Sequence, residues 1–182
     1  MTKDFDPQRL DVKSFAEGAG ELAGEERLGD HPRLMAETAG RGADMRLAWS
    51  VSGEVRNPGH VHPEIWLLLE ASTVLFLTCQ RCLAPVEVAV QVERPFRFVQ
   101  DESIAMAEDD RSEEDLLALS RSFDLIELVE DELLMDLPVA PRHEVCPVPV
   151  KLAVADEDFE PAPAPRENPF ALLQRLKTRK AE

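Results

Sequence analysis

The chain has 182 residues, of which 44% are hydrophobic, and a formal net charge of −16; that length supports one packed domain with tails but not two independent cores. Its longest apolar run, residues 65–77, is broken by Glu70 and falls short of the roughly eighteen apolar residues of a membrane helix. The start, MTKDFDPQRL, has no apolar export core, and three cysteines make an odd number, so a reduced, cytoplasmic protein without a disulfide framework is expected.

Residues 1–44 mix Gly, Ala and charge, with Phe15, Leu22 and Leu28 too sparse to dictate a strong helix; short helices or irregular structure are expected there. A core domain is placed at 45–150. From Met45 the period becomes two: Leu47, Trp49, Val51, Gly53 and Val55 alternate with Ala48, Ser50, Ser52 and Glu54, as in a half-buried strand. Asn57-Pro58-Gly59 supplies a turn. Residues 65–77 are apolar on both faces, which predicts a central strand covered on both sides. Val86, Val88, Val90 and Val92 then alternate with polar neighbours, and Phe96 and Phe98 extend that strand past Pro95. Residues 101–114 carry no apolar period and read as a mobile acidic loop. Leu116 to Leu119 is a candidate short strand.

The stretch FDLIELVEDELLMDLP reads as a helix, with Leu125, Ile126, Val129, Leu133 and Leu137 on one face. Glu127, Glu130 and Asp131 are placed on its outer face, Ser122 or Asp124 at its cap, and Pro138 at its stop. Residues 151–167 form a Pro/Ala/acidic linker. Residues 168–182 read as a basic helix, with Asn168 at the cap and Pro169 at the first turn. The predicted class is α+β: a mainly antiparallel sheet, one packing helix and a tethered C-terminal helix.

Charge is unevenly spread. Residues 101–136 hold fourteen Asp/Glu against two Arg, whereas the tail carries Arg166, Arg175, Lys177, Arg179 and Lys180 against Glu167. Overall acidity argues against a broad phosphate-binding surface but leaves room for a local basic footprint in the tail.

Cys79-Gln80-Arg81-Cys82 falls between two strong strands, at or near a hairpin turn. Two thiolates at that spacing can converge on one metal ion, as in zinc knuckles. His143-Glu144-Val145-Cys146 supplies a second pair at the same spacing, so Cys79, Cys82, His143 and Cys146 make a complete donor set for one structural zinc ion. The plainer alternative is that the cysteines are small turn residues and His143 a surface histidine; the sequence alone does not decide whether the pairs meet. A redox pair at Cys79/Cys82 is the third reading, weakened because a strand and not a helix follows. No Gly-rich phosphate loop, G-x-S-x-G or H-E-x-x-H occurs. The alternative to a non-enzymatic role is therefore a metal- or thiol-dependent enzyme built on Cys79 and Cys82.

Three stretches in order, LTCQRCLAPVEV (77–88), FDLIELVEDELLMDLPVAPRHEVC (123–146) and NPFALLQRLK (168–177), closely resemble the bacterial YceD family of large ribosomal RNA subunit accumulation proteins. The resemblance covers about residues 45–178. The family's C-x-R-C element falls on Cys79, Arg81 and Cys82, its acidic helix on 124–138, its downstream His/Cys on His143 and Cys146, and its tail motif on Asn168, Pro169 and Phe170. The resemblance implies a role in synthesis, processing or stability of 23S ribosomal RNA, hence in large-subunit biogenesis. No enzymatic activity is established for the family, which agrees with the absence of a catalytic set, and neither a small-molecule substrate nor a membrane partner is expected. The expected partner is 23S rRNA or a pre-50S particle, met through a basic ribosomal or RNA-processing protein, with Arg81 and the basic tail as binding candidates.

Overall fold

Period-two patterning over three long runs sets the centre of the fold. Arg46–Arg56 (β2), Glu64–Thr78 (β3) and Pro85–Val99 (β4) are strands, each paired antiparallel with the next. The computed structural model describes residues 5–149 except His62. The linker expected at 151–167 and the basic helix at 168–182, with Asn168, Pro169, Phe170, Arg175, Lys177, Arg179 and Lys180, lie outside the described residues. Glu21–Arg27 (β1) adds antiparallel to β2, and Asp115–Ala118 (β5) adds parallel to β4, completing a five-stranded sheet in sequence order. Among the described residues the α-helices are Val12–Glu17 (α1), Pro32–Glu37 (α2), Glu102–Glu108 (α3) and Leu125–Met135 (α4). The class is α+β, as the sequence predicts.

The core lies on one face of the sheet. Leu67 opposes Phe96, Ala71 opposes Val92 and Leu75 opposes Val88 across β3 and β4, and these join Leu47, Trp49 and Val51 of β2 under α1 and α4 in one apolar cluster. The other face of β3 is not covered as predicted: Leu68, Glu70 and Ser72 are exposed. Farther along that face Val74 and Phe76 are half-buried, and Trp66 is buried, with the Arg56 guanidinium stacked 3.9 Å from its ring centroid.

Three expectations need correction. First, the short helices expected in the N-terminal segment are there as α1 and α2, but the stretch between them is a strand, β1. Its apolar signal is one half-buried leucine, Leu22, and its fit depends on Gly24, where a Cβ would stand 2.7 Å from the Trp49 ring. Second, the acidic segment is not a loop. A parallel β4–β5 pair needs a crossover, and α3 with the 3-10 turn Asp109–Arg111 provides it. Asp101 caps α3 by accepting the Ile104 amide at 3.0 Å, and the Ser103 hydroxyl with that amide holds its carboxyl below the usual range.

Third, α4 does not keep its carboxylates outside. Asp124 caps it, accepting the Ile126 and Glu127 amides at 3.0 and 3.1 Å, but Glu130 and Glu132 are both only 6% exposed. Glu130 accepts the Arg33 and Leu34 amides at 2.8 and 3.1 Å and the Arg33 side chain at 3.0 Å, so it caps the start of α2. Glu132 is less well served. Arg94 stands 3.6 Å away, beyond hydrogen-bond reach, and burial pushes the Glu132 carboxyl up against the opposing pull of Arg94. A carboxyl with a raised folded-state pKa binds its proton more tightly when folded, so its contribution falls as pH rises through that pKa. Glu132→Gln is therefore expected to raise stability at neutral pH by about 1 kcal/mol, with the gain vanishing toward pH 4. Urea melts of both proteins across that range check it; equal midpoints at pH 7 would refute it.

Candidate metal centre

Six residues, 79–84, join β3 to β4 in a tight loop. The Cys79 amide donates to the Ala84 carbonyl and the Leu83 amide to the Cys79 carbonyl, each at 2.9 Å, and Leu83 closes the turn at φ +62°. This puts Cys79 and Cys82 on one side of the loop. After α4, Pro138 and Pro141 forbid further helix, and the chain returns to the hairpin, where the Gln80 amide donates to the Pro141 carbonyl at 2.8 Å.

That return brings the second pair onto the first. The sulfurs of Cys79 and Cys146 are 4.0 Å apart, and Cys82 Sγ lies 3.4 Å from His143 Nδ1. All four donor atoms lie within 4.8 Å of one another. A tetrahedral zinc ion with Zn–S near 2.3 Å and Zn–N near 2.0 Å sets donor–donor edges of about 3.5–3.8 Å. The donors therefore stand close enough to hold one such ion.

The surroundings prepare each donor. His143 Nε2 is 3.0 Å from the Pro85 carbonyl, which can only accept, so Nε2 carries the proton and Nδ1 keeps its lone pair for a ligand. Cys79 is fully buried. Burial pushes its thiol up, but the backbone amides of Cys82, Arg81 and His143 outweigh it and hold the thiol at about 5. Cys79 is thus a thiolate at neutral pH, the form that binds metal. The Ala84 amide draws the Cys82 thiol down, yet burial and the neighbouring sulfurs of Cys146 and Cys79 raise it overall. Arg81 staples the two loops: its Nε donates to Cys146 Sγ at 3.0 Å and its Nη2 to the carbonyls of His143 and Glu144 at 2.7 and 3.3 Å.

The structure thus gathers Cys79, Arg81, Cys82, His143 and Cys146 at one end of the sheet. Sequence reasoning missed the Arg81 staple, the Pro85 carbonyl behind His143 and the Gln80–Pro141 tether. Among these, only the repeated prolines after α4 signalled that the chain turns back.

No solved structure matches the chain. The model of the family described as the large ribosomal RNA subunit accumulation protein YceD matches residues 67–177, a span that contains both halves of the donor set and more than half the sequence. With that match, the chain belongs to the YceD family of large ribosomal RNA subunit accumulation proteins.

Proposed function

We propose that this protein is a non-enzymatic, zinc-bearing factor of large-subunit biogenesis, needed for synthesis, processing or stability of 23S rRNA. The observation that carries the reading is the closed donor set within the family-matched span. Four protein donors leave no position for water or substrate, the arrangement of structural and not catalytic zinc. The ion fastens the His143–Cys146 loop to the β3–β4 hairpin and so fixes a surface. The cytoplasmic partner is a pre-50S particle, reached through a basic ribosomal or RNA-processing protein drawn to a chain of net charge −16. In the tail, Arg175, Lys177, Arg179 and Lys180 add a local contact to RNA phosphates.

Depletion in cells tests the reading. The 23S to 16S ratio and the 50S peak are expected to fall together, to be restored by the full chain, and to be only partly restored by a chain ending at residue 167. Unchanged 23S and 50S levels on depletion would overturn the proposal.

A further inference from the structure

Two of the four donors are placed to react with each other as well as to share an ion. Cys79 Sγ and Cys146 Sγ are 4.0 Å apart, about twice the length of a disulfide bond. Cys82 Sγ meets a different neighbour, lying 3.4 Å from His143 Nδ1. Arg81 holds Cys146 against the hairpin: its Nε donates to Cys146 Sγ, and its Nη2 donates to the His143 and Glu144 carbonyls. The Gln80–Pro141 bond ties the two loops at a second point. Bringing together residues sixty-seven positions apart is entropically unfavourable in a free chain. The fold has already done so, and the two sulfurs need only a short side-chain movement to bond. Exposure divides their roles. Cys79 is fully buried and Cys146 only partly, so an oxidant arriving from solvent meets Cys146 first.

We propose that Cys146 and Cys79 are a redox-modification site: a peroxide oxidises Cys146, and Cys79 resolves it into an intramolecular disulfide that takes the place of the metal. The bond between the sulfurs rests on their geometry; the loss of an ion with it rests on the zinc centre proposed above. In the first step the Cys146 thiolate attacks one peroxide oxygen, the O–O bond breaks, and hydroxide leaves, giving a sulfenic acid. In the second the Cys79 thiolate attacks that sulfur, the S–S bond forms, the S–O bond breaks, and a second hydroxide leaves. The two sulfurs together lose two electrons, which the peroxide oxygens gain. An ion left with only Cys82 and His143 has lost two of four donors and dissociates. The disulfide then fastens the return loop to the hairpin as the metal did, while Cys82 and His143 are released. A bond between Cys79 and Cys82 would have the opposite consequence, because it would expel the ion and leave the return loop without a covalent tie.

Trypsin makes the test direct. Arg81 lies between Cys79 and Cys82, and Arg142 precedes His143, so each cysteine falls on its own tryptic peptide. The full chain, reduced and loaded with zinc, is treated with hydrogen peroxide, and zinc release and linked peptides are followed together. A disulfide joining the Cys79 and Cys146 peptides is expected, with one zinc per chain lost in step, and both changes reversed by a thiol reductant with added zinc. Limited proteolysis within residues 138–149 is expected to run about tenfold or more slower in the oxidised protein than in reduced protein stripped by a chelator, because the cross-link blocks local opening. Cys82→Ser keeps both reacting sulfurs and is expected to form the same bond. A Cys79–Cys82 bond or a link between chains would overturn the inference, as would an oxidised loop cut as fast as the stripped one. A chain that binds no zinc yet forms the Cys79–Cys146 bond would remove the metal from the proposed function and leave this site standing. A zinc-loaded chain that never forms the bond would remove this site alone.

Discussion

Cys79→Ser is expected to release the metal and lower the melting temperature by about 10 °C. A ligand held a thousandfold above its dissociation constant contributes about 4 kcal/mol, and in a chain of this size each kcal/mol moves the midpoint by about 2–4 °C. The loss is local in origin. Cys79 is buried, and its sulfur stands beside that of Cys146, which Arg81 holds, so the return loop after α4 loses its anchor while the sheet keeps its apolar core. Limited proteolysis should accordingly cut within residues 138–149 first. Chelation of the wild-type protein should reproduce both effects, and zinc should reverse them. One zinc per chain is expected in the reduced protein and none in Cys79→Ser. A metal-free wild-type preparation that melts identically with and without chelator would sink the structural-metal assignment.

The second large effect lies away from the Cys/His cluster. Glu130→Ala is expected to lower stability by about 3 kcal/mol, because it orphans the Arg33 and Leu34 amides and removes the carboxylate bound by the Arg33 side chain. The exposed Glu127→Ala on the same helix is expected to change stability by less than about 0.5 kcal/mol. Glu130→Gln should recover part of the loss, since its amide oxygen still accepts. Urea unfolding of the three variants gives the comparison; equal midpoints for Glu130→Ala and Glu127→Ala would show that the α2 cap contributes little.

These two sites also show how far the sequence reaches. β2, β3, β4 and α4 were legible because each is long, and its own residues carry its period. Asp124 was legible as a cap because capping is decided within three residues. Glu130 was not. What buries it is the start of α2, nearly a hundred positions away, and no local pattern records that. β1 was hidden for the same reason: its glycine makes sense only beside the Trp49 ring. α3 buries a single residue, Ala105, too little to impose a period on an acidic stretch. The open face of β3 escaped notice because leucine at position 68 reads as core until cross-strand neighbours are known. At the Cys/His cluster the members were readable from paired spacing. Their convergence was not, because it depends on where α4 ends and on carbonyls, such as that of Pro85, whose partners no side-chain motif encodes.

The separation of Cys79 from Cys146, sixty-seven positions, bears on the order of events during folding. Closing so long a loop in an unstructured chain is entropically unfavourable, so the four donors assemble only after β4, the crossover, β5 and α4 have formed and folded back. On the ribosome, the hairpin pair emerges well before the His143–Cys146 pair. Full four-donor capture of an ion would therefore mark the end of domain assembly and could not seed its beginning, and a bound metal would act as a latch on a completed fold.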